Sequence, residues 1–420
     1  MKETLLQLGE WILKPEQLPW IPRLARHLLL RQLKNLEFGT LILREGDQEF
    51  RFVGGKQPNP QVILTVHDPR SYAQMVLGGS VGGANAYREG RWDCDSLVNL
   101  VRIFALNEDF MNRFEQGLAR FQEPLRKLYH RWRRNSVTGS RRNIAEHYDL
   151  GNEFFALFLD ETMTYSCGIF RDDAADLKSA SLEKLDLVCR KLALRPGDSL
   201  LEIGSGWGSF ALHAAKNYGA RVTTTTVSAK QYAYLCETVQ REGLGDRIQV
   251  LRQDYRELQG RYDKIASIEM IEAVGYPYYP TFFETCSRLL RAEGRMLLQA
   301  ITIVDHAYER AKDEVDFIKR YIFPGGCLPS VGALMQANVL AGDLSLVQLE
   351  DFTPHYVSTL KAWRENFRNN LPAIRALAYS EAFIRTWEFY FAYCQGAFQE
   401  RYIGLKHLLF QKPGGRPRPR

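Results

Sequence analysis

Glu202-Ile-Gly-Ser-Gly-Trp-Gly208 is the stretch of the 420-residue chain whose residue types and spacing point most directly to chemistry. Glycines at Gly204, Gly206 and Gly208 let the backbone turn tightly and bring a ligand close to the N-terminus of a following helix. The pattern differs from the G-x-G-x-x-G of dinucleotide folds. After the first strand of an α/β sheet, E-x-G-x-G-x-G is the usual cradle for the methionine part of S-adenosylmethionine; a tight turn that binds nothing is the alternative. The next strand ends in threonines where many nucleotide binders place an acid for the ribose hydroxyls. The hydroxyl of Thr226 and the amide of Gln231 therefore have to substitute.

These residues need a doubly wound sheet to position them, and the second half of the chain has its rhythm of short apolar strands alternating with helices. SLLEIG (199–204), ARVTTTTV, RIQVLRQD, DKIASIEM and GRMLLQAITI read as strands. WGSFALHAAKNYG is a helix closed by Gly219, SAKQYAYLCETVQREGLG a helix capped by Ser228, and YPTFFETCSRLLRAEG a third. Ligands of such sheets lie beyond the carboxyl ends of the strands, which gathers the regions around Gly204 to Gly208, Thr226, Asp254 and Glu269 to Gly275. The first third has another composition. FGTLILREGDQEFRFVGG reads as a hairpin, PQVILTVHDP as a third strand, SYAQMVLGGSVGGANAYREGRWD as a glycine-broken helix and DSLVNLVRIFALNEDFMNRF as a long amphipathic helix. The expected division is a small α+β domain at 1–125, a basic linker at 126–142 and an α/β domain at 143–420.

Composition bounds the remaining choices. At 25% charged and 45% hydrophobic the chain is neither a disordered tail nor a small stapled scaffold, and its length suits two domains. No run approaches the roughly 18 apolar residues of a membrane span, and the N-terminus lacks a signal-peptide pattern. Seven cysteines, an odd number with no C-x-x-C pair, argue against a disulfide framework or a structural zinc site. A cytoplasmic protein is the expectation. Residues 1–142 hold 22 Lys/Arg against 15 Asp/Glu, and Arg126, Lys127, Arg131, Arg133, Arg134, Arg141 and Arg142 crowd one acid-free segment. Such a run attracts an anionic lipid surface or a nucleic acid, or is simply a solvated linker. The chain lacks the N/D-P-P-Y/F tetrapeptide of many nucleic-acid methyltransferases, and no nucleic-acid partner is expected.

HYDLGNEFF (147–155), TMTYSCGIF (162–170), LEIGSGWG (201–208), TVSAKQ (226–231), EMIEAVG (269–275) and YIFPGGCLPS (321–330) resemble the cyclopropane-fatty-acyl-phospholipid synthases. GGSVGGANAYREGRWDCD (78–95) carries the resemblance into the first domain, as in the two-domain bacterial members. The resemblance implies a class I S-adenosylmethionine-dependent methyltransferase, with a seven-stranded Rossmann-like sheet and helical insertions. It further implies that Tyr165 and Ser166 contact the cofactor's amino-acid end, Gly204, Gly206, Trp207 and Gly208 form its turn, Thr226, Ser228 and Gln231 face the ribose, and Asp254 with Tyr255 holds the adenine. Cys167, Glu272, Ile301 and Tyr356 match the family's bicarbonate site, and Cys394 in YCQGAF matches a cysteine treated as an active-site candidate.

An alkene is a poor nucleophile, so its attack on a sulfonium methyl develops a carbocation that water must not reach. In the family a bound bicarbonate then removes a proton to close the ring. Two departures bear on that step. Gln299 stands where many members have a bicarbonate-holding histidine, and the family's Glu-His pair reads Glu272-Ala273. An amide donates a hydrogen bond but does not titrate near neutrality. Both departures resemble a subgroup that leaves a methyl or methylene branch.

The expected reaction is therefore transfer of a methylene to the cis double bond of a phospholipid acyl chain. A branched product is the alternative, and a lipid-binding protein without catalysis the rival from another class. The substrate implies peripheral attachment to the inner face of a membrane, with segment 126–142 as its candidate; a homodimer is compatible with the sequence. Residue by residue, duller readings stand beside these. Cys167 also reads as a small buried hydrophobe, Tyr356 as packing, one of Glu269 and Glu272 as a helix-start charge, and the stripe Phe383, Trp387, Tyr390, Cys394 and Phe398 as core.

Overall fold

A computed structural model describes residues 20–108, 150–172 and 174–414. The chain divides into two compact units, Met1–Leu128 with Tyr379–Glu400, and Tyr129–Ala378 with Arg401–Arg420. Segment 126–142 and His147 lie outside the described residues.

In the first unit, β1 (Phe38–Glu45), β2 (Gln48–Val53), β3 (Gln57–Val66) and β4 (Trp92–Cys94) form a sheet in the order β2-β1-β3-β4. β1 and β2 make the expected hairpin, closing at Glu45 opposite Gln48. The glycine-broken helix is Arg70–Arg88, interrupted at Gly79 where φ is 57° and ψ −145°. The Leu97–Leu106 helix starts at Ser96, whose hydroxyl accepts from the Asn99 N–H at 3.2 Å. The Glu381–Gln399 helix also belongs here. Arg385 donates to the carbonyl oxygen of Trp92 at 2.9 Å and to the Asp93 carboxylate at 2.7 Å, and its guanidinium lies 3.9 Å from the centre of the Tyr87 ring. Gly396 lets the helix close on the Leu97–Leu106 helix, since a Cβ there would fall 2.8 Å from that of Val101. Ile384, Trp387, Tyr390, Phe391 and Phe398 are buried. The helix meets the first unit through Arg385, Phe389 and Gly396, and the continuous 143–420 domain expected from sequence loses it to that unit.

The second unit is built on β5 (Ser199–Ile203), β6 (Arg221–Thr225), β7 (Ile248–Leu251), β8 (Tyr262–Ile268), β9 (Leu290–Ile303), β10 (Ser345–Asp351) and β11 (Ile403–Gln411). Their order is β10-β11-β9-β8-β5-β6-β7. The five strands β5 to β9 run parallel, and β11 enters antiparallel to both neighbours. One core layer packs Leu201, Ile265, Phe282, Phe283 and Leu298 against the Tyr279–Leu289 and Val331–Ala341 helices. The opposite layer packs Leu185, Val188, Phe210 and Leu235 of the Leu177–Lys191, Ser209–Tyr218 and Ala229–Arg241 helices. The third expected helix stops at Leu289, and Arg291 to Gly294 open β9 instead of closing the helix.

Candidate active site

Beyond the carboxyl end of β5, Gly204, Gly206 and Gly208 all have positive φ, at 96°, 51° and 93°. A side chain at Gly208 would meet Leu235 Cδ1 at 2.1 Å, whereas at Gly206 nothing lies within 4 Å. The middle glycine therefore presents bare backbone to open space, which is what close approach of a ligand requires. Glu202 is buried beneath the turn and accepts from the Thr224 hydroxyl at 2.5 Å; burial pushes its carboxyl up to about 8.

The remaining cofactor candidates are tied into local frames. Trp207 donates from its indole to Asn152 Oδ1 at 2.9 Å, and Tyr165 packs beside Phe155, Trp207 and Trp363. The Ser166 hydroxyl accepts from Lys184 Nζ at 2.8 Å. Ser228 caps its helix as expected, accepting from the Gln231 N–H at 3.3 Å. The Thr226 hydroxyl donates to Gln231 Oε1 at 2.9 Å and accepts from the Ser228 N–H, so its proton goes to the Gln231 amide oxygen. Asp254 is buried in an ion pair with Arg256 at 2.7 Å, and the buried Tyr255 hydroxyl has no partner.

Across the sheet, three of the six catalytic candidates meet at Glu269, a carboxylate whose place just after a strand also suits a plain helix-start charge. Glu269 follows β8 with φ 48°, a left-handed conformation costing roughly 1–2 kcal/mol for a residue with a side chain. Its Oε1 accepts from the Cys167 N–H at 3.0 Å and the Gln299 amide at 2.7 Å, and its Oε2 accepts from the Tyr356 hydroxyl at 2.7 Å. Burial raises its pKa and these three donors oppose the rise. Glu272 belongs to the same carboxyl pair. Its Oε1 accepts from the Ile301 N–H at 2.5 Å, while its Oε2 is buried without a partner. Burial first, and then the charge of Glu269, push the Glu272 carboxyl up to about 8.

Cys167 is fully buried, and burial drives its thiol well above the usual range, so it is no nucleophile here. Its sulfur lies 3.6 Å from the Thr359 hydroxyl, which also accepts from the Gly168 N–H at 3.1 Å. Cys394 sits on the Glu381–Gln399 helix, which belongs to the first unit.

A cluster of rings connects to Glu269 through Tyr356. Phe154, Phe155, Phe158, Tyr165 and Trp207 interlock at 4.8 to 6.5 Å between centroids, and Trp363 joins them through Phe158, Tyr165 and Tyr356. The indole N–H of Trp363 is buried without a partner. The Thr353–Asn369 helix brings Trp363 and Phe367 to this cluster. Sequence reasoning missed Lys184, a buried cation whose pKa is lowered by burial. Its signal was available: Lys184 shares a helical face with Ala180, Ser181 and Val188, all of them buried.

A sheet with one antiparallel strand next to its edge, and a glycine turn after its first strand, define a class I S-adenosylmethionine-dependent methyltransferase. Residues 135–408 match the family described as mycolic acid cyclopropane synthetase. The chain is 36% identical over 353 residues to the cyclopropane-fatty-acyl-phospholipid synthase of Escherichia coli (strain K12), covering 83% of this chain and 87% of that one. It is 35% identical over 351 residues to the tuberculostearic acid methyltransferase UfaA1 of Mycobacterium tuberculosis, 81% of each chain. The crystal structure of mycolic acid cyclopropane synthase CmaA1 complexed with SAH and CTAB superimposes with a TM-score of 0.59 at 32% identity, covering 65% of this chain and 98% of that one. The chain belongs to this family, and it is a methyltransferase of the cyclopropane-fatty-acyl-phospholipid synthase type, using S-adenosylmethionine.

Proposed function

We propose that the protein transfers a one-carbon unit from S-adenosylmethionine to the cis double bond of an acyl chain esterified in a phospholipid, with a cyclopropane as product. S-adenosylmethionine supplies the electrophilic methyl. Tyr165, Ser166, Glu202, Gly204, Gly206, Trp207, Gly208, Thr226, Ser228, Gln231, Asp254 and Tyr255 would hold it. The clustered rings keep water from the developing cation and offer it their π-faces.

The observation that carries the reading is Glu272 Oε2, a buried and unpartnered oxygen on a carboxyl that burial keeps protonated at neutral pH. Such a group donates to an anion. A bicarbonate would fit there, held by Glu272 with Cys167, Ile301 and Tyr356 around it, and would supply the base for ring closure. The second reading is a methyl or methylene branch. It is favoured by Gln299, whose amide does not titrate, and by similarity to a relative named for tuberculostearic acid.

Proton NMR of the product from a defined monounsaturated phospholipid, with and without bicarbonate, tests both. High-field ring protons that require bicarbonate support the first reading, and terminal-methylene or branch-methyl signals the second. Zero consumption of S-adenosylmethionine in the presence of unsaturated vesicles sinks both and leaves a lipid-binding protein.

No helix among the described residues is long and apolar enough to cross a membrane, so an enzyme acting on bilayer lipid needs a way onto the surface. Segment 126–142 is our candidate, acting at the inner membrane face. Replacing Arg131, Arg133 and Arg134 with alanine should abolish sedimentation with anionic vesicles at low salt; unchanged sedimentation removes the idea.

A further inference from the structure

One row of polar side chains crosses the sheet of the second unit and ends at the carboxylate just described. In the strand register Glu350 of β10 is opposite His407 of β11, His407 is opposite Gln299 of β9, and Gln299 is opposite Ile268, the last residue of β8 before Glu269. Paired positions on neighbouring strands put their side chains on the same face, so the register lines up Glu350, His407 and Gln299, and Glu269 beyond the end of β8 joins through its contact with Gln299. Lys191, the last residue of the Leu177–Lys191 helix, reaches the same row. Its ammonium is ion-paired with Glu350, lies 3.0 Å from His407 Nδ1 and sits 4.5 Å from the Phe352 ring centre. Phe352 in turn packs on the imidazole at 4.4 Å. On the other side His407 Nε2 is 2.8 Å from Gln299 Oε1, and Gln299 Nε2 is 2.7 Å from Glu269 Oε1.

Only one assignment of donors satisfies every contact. An ammonium can only donate, so His407 Nδ1 accepts and Nε2 carries the hydrogen. Gln299 then has to turn its oxygen to His407 and its NH2 to Glu269. A flipped amide would set oxygen against carboxylate and N–H against N–H, both repulsive in a buried site where His407 and Gln299 are 1% and 0% exposed.

We infer that His407, with its tautomer fixed by Lys191, is a positioning residue that sets the orientation of Gln299 and through it holds the Glu269 carboxylate against Cys167 and Tyr356. The inference rests on the catalytic reading of this site but goes beyond its residues. Gln299 is not an idle replacement for a titrating side chain. It is the middle link between the Lys191 ammonium and the carboxylate at the ring-lined centre, and its orienting donor lies more than a hundred positions away in sequence.

The test combines a spectroscopic and a kinetic arm on the full chain. Ring-nitrogen chemical shifts of the parent should report the Nε2–H tautomer of His407. Using unsaturated phospholipid vesicles and S-adenosylmethionine, His407→Phe should lower kcat by roughly 10- to 100-fold with both KM values within about twofold, as expected for a misplaced active-site group. His407→Gln should recover most of that loss, because a carboxamide can accept from Lys191 and donate to Gln299. Lys191→Met, which keeps the packed stem, should release the tautomer and lower kcat in the same direction.

A parent in the Nδ1–H tautomer overturns the inference, as do parent-like kcat in His407→Phe and Lys191→Met, a loss confined to KM, or a His407→Gln as impaired as His407→Phe. Should His407→Phe fail to fold, Lys191→Met and the parent spectrum still decide. A parent that transfers no methyl group refutes the functional reading instead, and the tautomer then tests the row by itself.

Discussion

Glu269 and Glu272 stand three positions apart, yet the fold gives them opposite duties. Glu269 collects three donors that oppose the rise burial imposes on its pKa, while Glu272 keeps one oxygen without a partner and a carboxyl raised to about 8. Its protonated form prevails below that pH, and above it two negative charges would share a buried site. Activity is therefore expected to fall as pH rises through about 8. Glu272→Gln, which keeps an acceptor for the Ile301 N–H and a fixed donor, should stay within about tenfold of parent kcat at neutral pH and lose that alkaline fall. A variant that retains it would show that another group titrates. Glu202 makes a matching statement about stability. Its folded value is about 8 against an ordinary 4.5, so the folded state keeps a proton that the unfolded chain releases. That term lowers stability as pH rises from about 4.5 to about 8, by up to about 1.4 kcal/mol per unit, and is constant above. In denaturant titrations Glu202→Gln should gain on the parent between those limits; a difference independent of pH would contradict the buried, protonated carboxyl. Sequence pointed to Glu272 and did not single out Glu269, because Glu269's importance is conferred by Cys167, Gln299 and Tyr356, which are 102, 30 and 87 positions away.

The glycine turn carries its own test at the scale of elements. Gly208→Ala combines a positive φ with a 2.1 Å clash against Leu235 and should cost several kcal/mol, seen as a large drop in melting temperature. Gly206→Ala meets no neighbour, so only backbone strain of roughly 1–2 kcal/mol is expected. Calorimetry should nonetheless record at least tenfold weaker S-adenosylmethionine binding, because its methyl occupies space offered to the ligand; unaltered affinity would move the cofactor off this turn. Five strands of the larger sheet were legible because each is a short apolar run closed by a turn residue. β10 and β11 were not. Ser345–Asp351 is an edge strand whose apolar Val347 and Leu349 are exposed, which removes the usual inside-outside alternation. Ile403–Gln411 is buried along most of its length and gives no period to find.

At the scale of the whole molecule, the division of the chain was half legible. The change in composition near residue 125 marked the small α+β unit, but the return of Tyr379–Glu400 to it was hidden. The residues by which that helix meets the unit, Arg385, Phe389 and Gly396, carry no pattern that names a partner some three hundred positions earlier. Native-state hydrogen exchange should group the amides of Glu381–Gln399 with those of β1 and β3, and Arg385→Ala should loosen that group while leaving β5 and β8 protected. Co-exchange of the helix with β5 would refute the grouping.

The interleaving also orders events on the ribosome. The unit whose translation begins first cannot close until Glu400, because its closing helix follows about 250 residues of the other unit, which itself waits for Arg401–Arg420. At about 5–20 residues per second that wait is on the order of 10–50 s. During it Tyr87, Val98 and Val101 lack their contacts with the Glu381–Gln399 helix. Growing chains of this enzyme are natural clients for a chaperone that shields apolar surface until synthesis is nearly over.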